Sequence, residues 1–249
     1  MVKELLQRLR LIGFLLIIPF SISFATPPNN FDSAKKMAAD LFSNHRVTLY
    51  CGCSYSVENK VDLKSCGMDT AAPIARANRI EWEHMMPAEH FGRYHKCWTE
   101  QLCVNDSNGK AYKGRKCCEK IDADFRRKEA ELYNLWPAVG AVNQERSNYT
   151  FTVIPNKRGF YGCEFDADKD KKLAEPPDRA KGIVARANLF MADKYKIEFS
   201  KEQRDLFNTW NKKFPPDAWE LKWAEKVAST VGYKNPYITT KSKDSSADS

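Results

Sequence analysis

Residues 79–92 read RIEWEHMMPAEHFG, and the way this stretch folds decides what the rest of the chain can build. Ile80, Glu81, Trp82 and Glu83 alternate apolar with polar, the period of two that marks a half-buried strand. His84 then falls on the apolar face with Ile80 and Trp82. Pro87 has no N–H to give a ladder and disfavours helical dihedrals at Met86, so the strand is expected to stop near Met85. Glu83 and His84 are adjacent and would point to opposite faces of a regular strand. Both can serve one site only if the strand end bends.

Working outward, Asp32 or Ser33 is expected to cap a helix running to about Phe42, with Ala34, Met37, Ala38 and Leu41 along one face. Val47–Tyr50 reads as a short strand and residues 51–78 as loop. A long loop is expected from Phe91 to Cys118, and a helix from Glu119 to Tyr133. In NLWPAVGAVNQERSN, residues 134–148, Pro137 suits the first position of a helix to about Arg146. Tyr149–Ile154 reads as a strand. Further helices are expected at Asp178–Tyr195, from a Ser200/Gln203 capping box to Lys212, and from Asp217 to Val231. Many helices with a few short strands make an α+β class, in one helix-rich mixed domain at residues 26–239.

The first 25 residues carry Lys3, Arg8 and Arg10 ahead of an apolar run from Leu11 to Phe20 and end in Ser23-Phe24-Ala25, the pattern of a secretory signal peptide. The run is short of the ~20 residues that span a bilayer. Residues 240–249 are polar and read as a disordered tail. All eight cysteines lie beyond the signal, which suits disulfides in an oxidising compartment, with ~105 pairings open. Net charge is +8, of which Lys3, Arg8 and Arg10 against Glu4 account for two, leaving +6 on the remainder. A basic exported chain suits nucleic acid, anionic lipid or cell-wall polymer, and charge alone does not rank them.

Some polar residues are left unexplained by helix or strand patterns. Asn143 lies inside a helix with Gly140 three residues before it, so a small residue clears space beside the amide. A hard cation such as Mg²⁺ takes one or two protein oxygens and keeps several waters, which the Glu83 carboxylate and the Asn143 amide oxygen would satisfy. His84 is then the candidate general base for an attacking water. A guanidinium matches phosphate oxygens with two bonds, and Arg115 and Arg146 are both candidates.

EWEHMMPAEHFG, NLWPAVGAVNQERSNYTF and CEFDADKDKKLAEPPDRAKGIVARANLFM, in this order and with the cysteines around them, resemble the endonuclease I family of periplasmic and secreted bacterial nucleases. The likeness runs from Phe31 to Tyr237. It implies a nonspecific, Mg²⁺-dependent endonuclease with a ββα-metal (His-Me) finger and several disulfides; the oligomeric state is not read from the residues, and a monomer is the default expectation. Such an enzyme cuts DNA, and often RNA, to 5′-phosphate ends, in the periplasm or outside the cell. By the same resemblance His84 is the general base, Glu83 and Asn143 hold the metal, and Asn134 shapes the finger. The arginine that supports the scissile phosphate finds its nearest match in Arg115. The chain departs from the family pattern at Met85-Met86 and Trp136, and in a longer loop before Cys117-Cys118.

Lys110, Lys113, Arg115, Lys116, Arg126, Arg127, Arg146, Arg179 and Arg186 are candidates for contact with the phosphate backbone, Lys113, Lys116, Arg146 and Arg179 foremost. Three alternatives compete. A noncatalytic, disulfide-stabilised binder of DNA or another polyanion needs the basic surface alone. A glycosidase would pair Glu81 with Glu83, about 7 Å apart on one strand face. A zinc site from His84, His90 and His95 lacks the H-E-x-x-H spacing.

Overall fold

The computed structural model describes residues 25–240. The signal segment expected at 1–25 and the tail expected at 240–249 lie outside the described residues, apart from Ala25 and Thr240. Helix α1 (Phe31–Leu41) starts just ahead of the expected position because Asn30 is the cap. Its side chain accepts from the Ser33 N–H at 2.8 Å, and the Ser33 hydroxyl accepts from the Asn30 N–H. Ala34 and Ala38 bury this helix, and Phe42 at its end packs among Trp82, Trp136, Trp219 and Trp223. The strand expected at Val47–Tyr50 shrinks to a single bridge between Val47 and Ser54.

Strand β1 (Ile80–His84) forms where the alternation predicts it. The long loop expected next is instead subdivided into α2 (Ala88–Gly92), α3 (Lys96–Thr99), a small hairpin of β2 (Cys103–Val104) and β3 (Ala111–Tyr112), and α4 (Arg115–Ile121). Cross-links Cys97–Cys118 and Cys103–Cys117 tie these pieces to α4. The single helix expected at Glu119–Tyr133 is two. Asp122 is extended, and its carboxylate caps α5 (Ala123–Glu129) by accepting from the Phe125 N–H at 2.9 Å.

The larger correction concerns Pro137. It does not open a helix but sits within strand β4 (Leu135–Val139), directly opposite Trp82 of β1. All five residues of β4 are buried. The Pro137 carbonyl accepts from Leu49 N–H at 2.8 Å, on the edge away from β1, so the missing proline N–H also faces outward and costs no ladder bond. Helix α6 (Gly140–Arg146) follows at once, completing a ββα unit of β1, β4 and α6.

Beyond it lie β5 (Thr150–Phe151), β6 (Asp166–Asp168) and β7 (Leu173–Glu175), in the order β5-β7-β6. Helices α7 (Asp178–Tyr195), α8 (Lys201–Lys213, capped by Ser200) and α9 (Ala218–Val231, capped by Asp217) match the sequence reading closely. The remaining disulfides, Cys51–Cys163 and Cys53–Cys66, fasten the loops before β1. The fold is α+β in one domain, with four disulfides among the described residues.

Two apolar clusters build the interior. Met85 belongs to the main one, and Met86 to a smaller one with Phe91, Phe125, Met191 and the paired Cys97, Cys103, Cys117 and Cys118. The end of β1 therefore crosses from one cluster to the other within a single peptide step. Met85 and Met86, the two residues just past the strand, thus anchor the chain in both clusters.

Candidate active site

The turn after His84 is held from three sides. Asn134, fully buried, accepts from the Met86 N–H at 2.6 Å and donates through Nδ2 to the Met86 carbonyl at 2.9 Å. Its own carbonyl accepts from the Met85 N–H at 3.0 Å. The Met85 carbonyl in turn accepts from Arg146 Nη2 at 2.7 Å and from Asn188 Nδ2 at 3.3 Å. Buried backbone groups with no ladder partner are costly unless satisfied in this way. The result delivers Glu83 and His84 to one cavity of about 370 Å³, whose walls also include Trp98, Arg115, Asn143 and Arg146.

His84 is buried, and its Nε2 lies 2.8 Å from the Glu129 carbonyl oxygen. A carbonyl only accepts, so Nε2 carries the proton and Nδ1 keeps a lone pair. Burial lowers the imidazole to about 3, with Arg115 adding to the effect, so the ring is neutral near pH 7. A neutral ring with a fixed tautomer is the form a general base requires.

Glu83 is 2 % exposed. Its Oε1 accepts from the Tyr50 hydroxyl at 2.7 Å and lies 3.2 Å from Arg146 Nε. Burial pushes the carboxyl above its ordinary value, with Arg146 and Tyr50 pulling the other way. Its Oε2 makes no hydrogen bond among the described residues.

Asn143 donates through Nδ2 to Glu81 Oε2 at 3.2 Å. A carboxylate can only accept here, so the bond settles which end of the amide is nitrogen and leaves Oδ1 unpartnered among the described residues. Glu81 is itself pinned by Arg76 and Arg79, whose charges hold it below the usual carboxylate range despite partial burial. Gly140 makes the arrangement possible: a Cβ there would lie 2.5 Å from the Arg76 carbonyl and 3.0 Å from Glu81 Oε1. Two oxygen donors without partners, one of them a buried carboxylate, therefore line the same polar cavity. That donor set fits a hard divalent cation.

Arg115 lines this cavity as well. Its Nε bonds Glu129 Oε1 at 2.6 Å and pairs with Glu119 Oε1 at 3.3 Å, while its two Nη groups bond nothing among the described residues. Two donors of a planar fork are thus left for a phosphate.

Of the two candidate guanidiniums, Arg146 is the one already occupied. It is 1 % exposed, bonds the carbonyls of Met85 and Ser147, faces Glu83 and lies 4.5 Å above the Phe151 ring. Buried with these partners beside Glu83, it sits as an internal brace of the site, which does not fit the expected surface contact with phosphates. Arg186 is likewise internal, paired with Glu220 at 2.6 Å and bonded to the Phe214 carbonyl. Arg179 lies over Gly52, away from the cavity. Lys113 and Lys116 are exposed near Arg115, with Lys113 bonded to the Thr99 carbonyl and Lys116 paired to Glu119.

The competing site readings find no geometry. His90 bonds the Asn148 carbonyl and His95 bonds Asp122 at 2.7 Å, so neither joins His84 around a shared ion. Cys97, close to His95 and Asp122, is consumed in a disulfide. Glu81 faces its arginines and is absent from the cavity wall, which removes a Glu81–Glu83 acid pair. Sequence reasoning missed Tyr50, Glu129 and Asn188, because each acts across more than thirty residues of chain. Only the oddity of a carboxylate and an imidazole in a buried strand hinted that such partners must exist.

The profile of the endonuclease I family matches residues 26–242. An extracellular deoxyribonuclease of Aeromonas hydrophila is 35% identical over 222 residues, 87% of this chain and 92% of the relative. An Endonuclease-1 of Buchnera aphidicola subsp. Baizongia pistaciae is 35% identical over 246 residues, covering 94% and 95% of the two chains. A periplasmic deoxyribonuclease of Aeromonas hydrophila is 34% identical over 240 residues, 92% and 96% of each. A match along nearly the whole chain, together with the ββα unit and its cavity, shows that this protein belongs to the endonuclease I family.

Proposed function

We propose that the protein is an exported, monomeric, Mg²⁺-dependent endonuclease that hydrolyses phosphodiester bonds of DNA, and of RNA, with little sequence preference. The observation that carries the reading is the convergence on one cavity of a neutral imidazole with a free Nδ1, two unpartnered oxygen donors and two free guanidinium N–H₂ groups. When bound by Glu83 and Asn143, the divalent cation supplies positive charge against that developing on the phosphate. His84 Nδ1 takes a proton from the attacking water while Nε2–H stays on the Glu129 carbonyl, so the ring does not turn as it becomes charged. Arg115 holds the nonbridging oxygens with its Nη groups. The new O–P bond forms opposite the 3′ oxygen as the P–O3′ bond breaks; the 3′ oxygen leaves with the bonding pair and takes a proton from solvent, His84 returns its proton to solvent, and the phosphate remains on the 5′ end.

Export is supported by the names of the relatives, periplasmic and extracellular, and by four disulfides. Among the described residues no helix is long and apolar enough to cross a membrane. Contact through backbone phosphates gives no base readout, so weak sequence preference follows. The test is relaxation and degradation of supercoiled plasmid, with a parallel assay on RNA, each in Mg²⁺ and in chelator. The reading expects cutting in Mg²⁺, loss in chelator and loss in Glu83→Ala. Undiminished cutting in chelator would overturn it.

A further inference from the structure

We infer that Phe31, in the first turn of α1, is a positioning residue shared by the general base and the phosphate-binding arginine; this rests on the function proposed above. Its ring centroid lies 4.8 Å from the His84 ring centroid, tilted by 43°. The Arg115 guanidinium carbon lies 5.2 Å from the same ring. One side chain thus touches both groups that would handle the water and the phosphate. Phe31 lines no part of the cavity that holds Glu83 and Asn143. It lines the adjoining one with Arg115 and Glu129, so it acts through its neighbours and not on the substrate.

The geometry shows why such a wedge is needed. His84 has a single hydrogen bond, at Nε2, which fixes one atom of the ring and leaves its plane free to rock. An aromatic edge or face packed against the imidazole removes that freedom. Arg115 is held at Nε by Glu129, again at one point of the fork. A ring against the guanidinium holds the plane of the fork by cation–π attraction, while the Nη groups bond nothing among the described residues. Glu129 makes the two restraints one unit: its carbonyl takes His84, its carboxylate takes Arg115, and Phe31 packs on both. The position of Phe31 is in turn set by the Asn30–Ser33 capping box and by Ala34 and Ala38 in the core. The first helix after the expected signal peptide therefore backs the active site from behind His84 and Arg115.

The experiment compares the wild-type protein with Phe31→Ala and Phe31→Leu in Mg²⁺, reading kcat and KM on plasmid DNA and the melting temperature of each. Misplacement of a reacting group on the scale of an ångström costs up to ~100-fold, so Phe31→Ala is expected to lose kcat by roughly 10- to 100-fold with KM nearly unchanged. Phe31→Leu, which fills the space without a flat π face, is expected to fall between the two. A second readout does not depend on catalysis: NMR relaxation of the His84 ring C–H groups and of the Arg115 Nε–H should show both side chains more mobile in Phe31→Ala than in the wild type, while the Nε2–H tautomer set by Glu129 is kept. Wild-type kcat in folded Phe31→Ala, or unchanged mobility of both side chains there, overturns the inference. If the wild type itself cuts no nucleic acid, the functional reading fails while the relaxation data still decide the role of Phe31. If Phe31→Ala does not fold, the Leu variant decides, since a merely structural role leaves its kcat at the wild-type value.

Discussion

Replacing Asn134 by alanine removes the clamp on the Met85–Met86 turn, and its cost follows from the bonds it makes. The side chain satisfies both the N–H and the carbonyl of Met86, at 2.6 and 2.9 Å, in a position with no solvent exposure. A buried polar group left unpaired costs about 1–3 kcal/mol, so the pair amounts to about 2–6 kcal/mol. For a chain of this size each kcal/mol moves the melting temperature by about 2–4 °C, which gives a fall of roughly 4–24 °C. Calorimetry with the disulfides intact measures it. Asn134→Asp supplies a sharper test. One carboxylate oxygen can still accept from the Met86 N–H, but the other then meets the Met86 carbonyl and must carry a proton to donate. Its folded pKa is therefore raised, so Asn134→Asp should be closer to wild type at pH 4 than at pH 8, whereas the Ala variant should show no such trend. Both variants should lose kcat, because the bend that brings Glu83 and His84 together is loosened. Stability within about 0.5 kcal/mol of wild type for Asn134→Ala, with full activity, would refute the clamp.

Gly140→Ala forces a Cβ against the Arg76 carbonyl and the Glu81 carboxylate, and should cost about 1–3 kcal/mol while releasing Asn143 and weakening Mg²⁺ activation; denaturation and Mg²⁺ titration of activity measure the two effects. Arg115→Lys keeps the charge but loses the planar fork and the Glu129 bond geometry, so it should recover little of the activity lost in Arg115→Ala in steady-state cleavage assays. Burial lowers His84 to about 3 and His90 to about 4, against 6.5 for the free group. The unfolded chain thus binds more protons between those values, so their contribution to stability is complete above pH 6.5 and is lost as pH falls toward 4. The slope reaches about 1.4 kcal/mol per pH unit for each histidine. Urea denaturation from pH 7 to 4 should show that slope, and His90→Gln should reduce it.

The parts of the fold legible in the sequence were those in which one face of a local element does the burying. Helices α7, α8 and α9 carry their own apolar stripes and caps, and β1 carries its alternation, so each could be placed from a window of residues. Pro137 defeated local reasoning because whether its missing donor matters depends on which edge of β4 faces a partner, a fact decided by Leu49 far upstream. The hairpin of β6 and β7 was hidden in DADKDKKLAE, where three-residue strands leave no periodicity to count. At the site, Glu83, His84 and Asn143 stood out as polar groups in apolar surroundings. Arg115 and Arg146 could not be told apart by type, since a guanidinium that braces a buried carboxylate and one that waits for phosphate look alike until their partners are seen. Tyr50 and Glu129 left no signal, being ordinary residues whose importance lies in what they touch.

Single-turnover cleavage of a labelled DNA by His84→Ala, set beside wild type at pH 7.5 in saturating Mg²⁺ and at matched DNA occupancy, bears most directly on the assignment of Nδ1 as the base. General-base catalysis contributes about 10²- to 10⁴-fold, so the variant should be slower by at least that lower figure, with DNA affinity close to wild type. A rate within a few-fold of wild type would contradict the account.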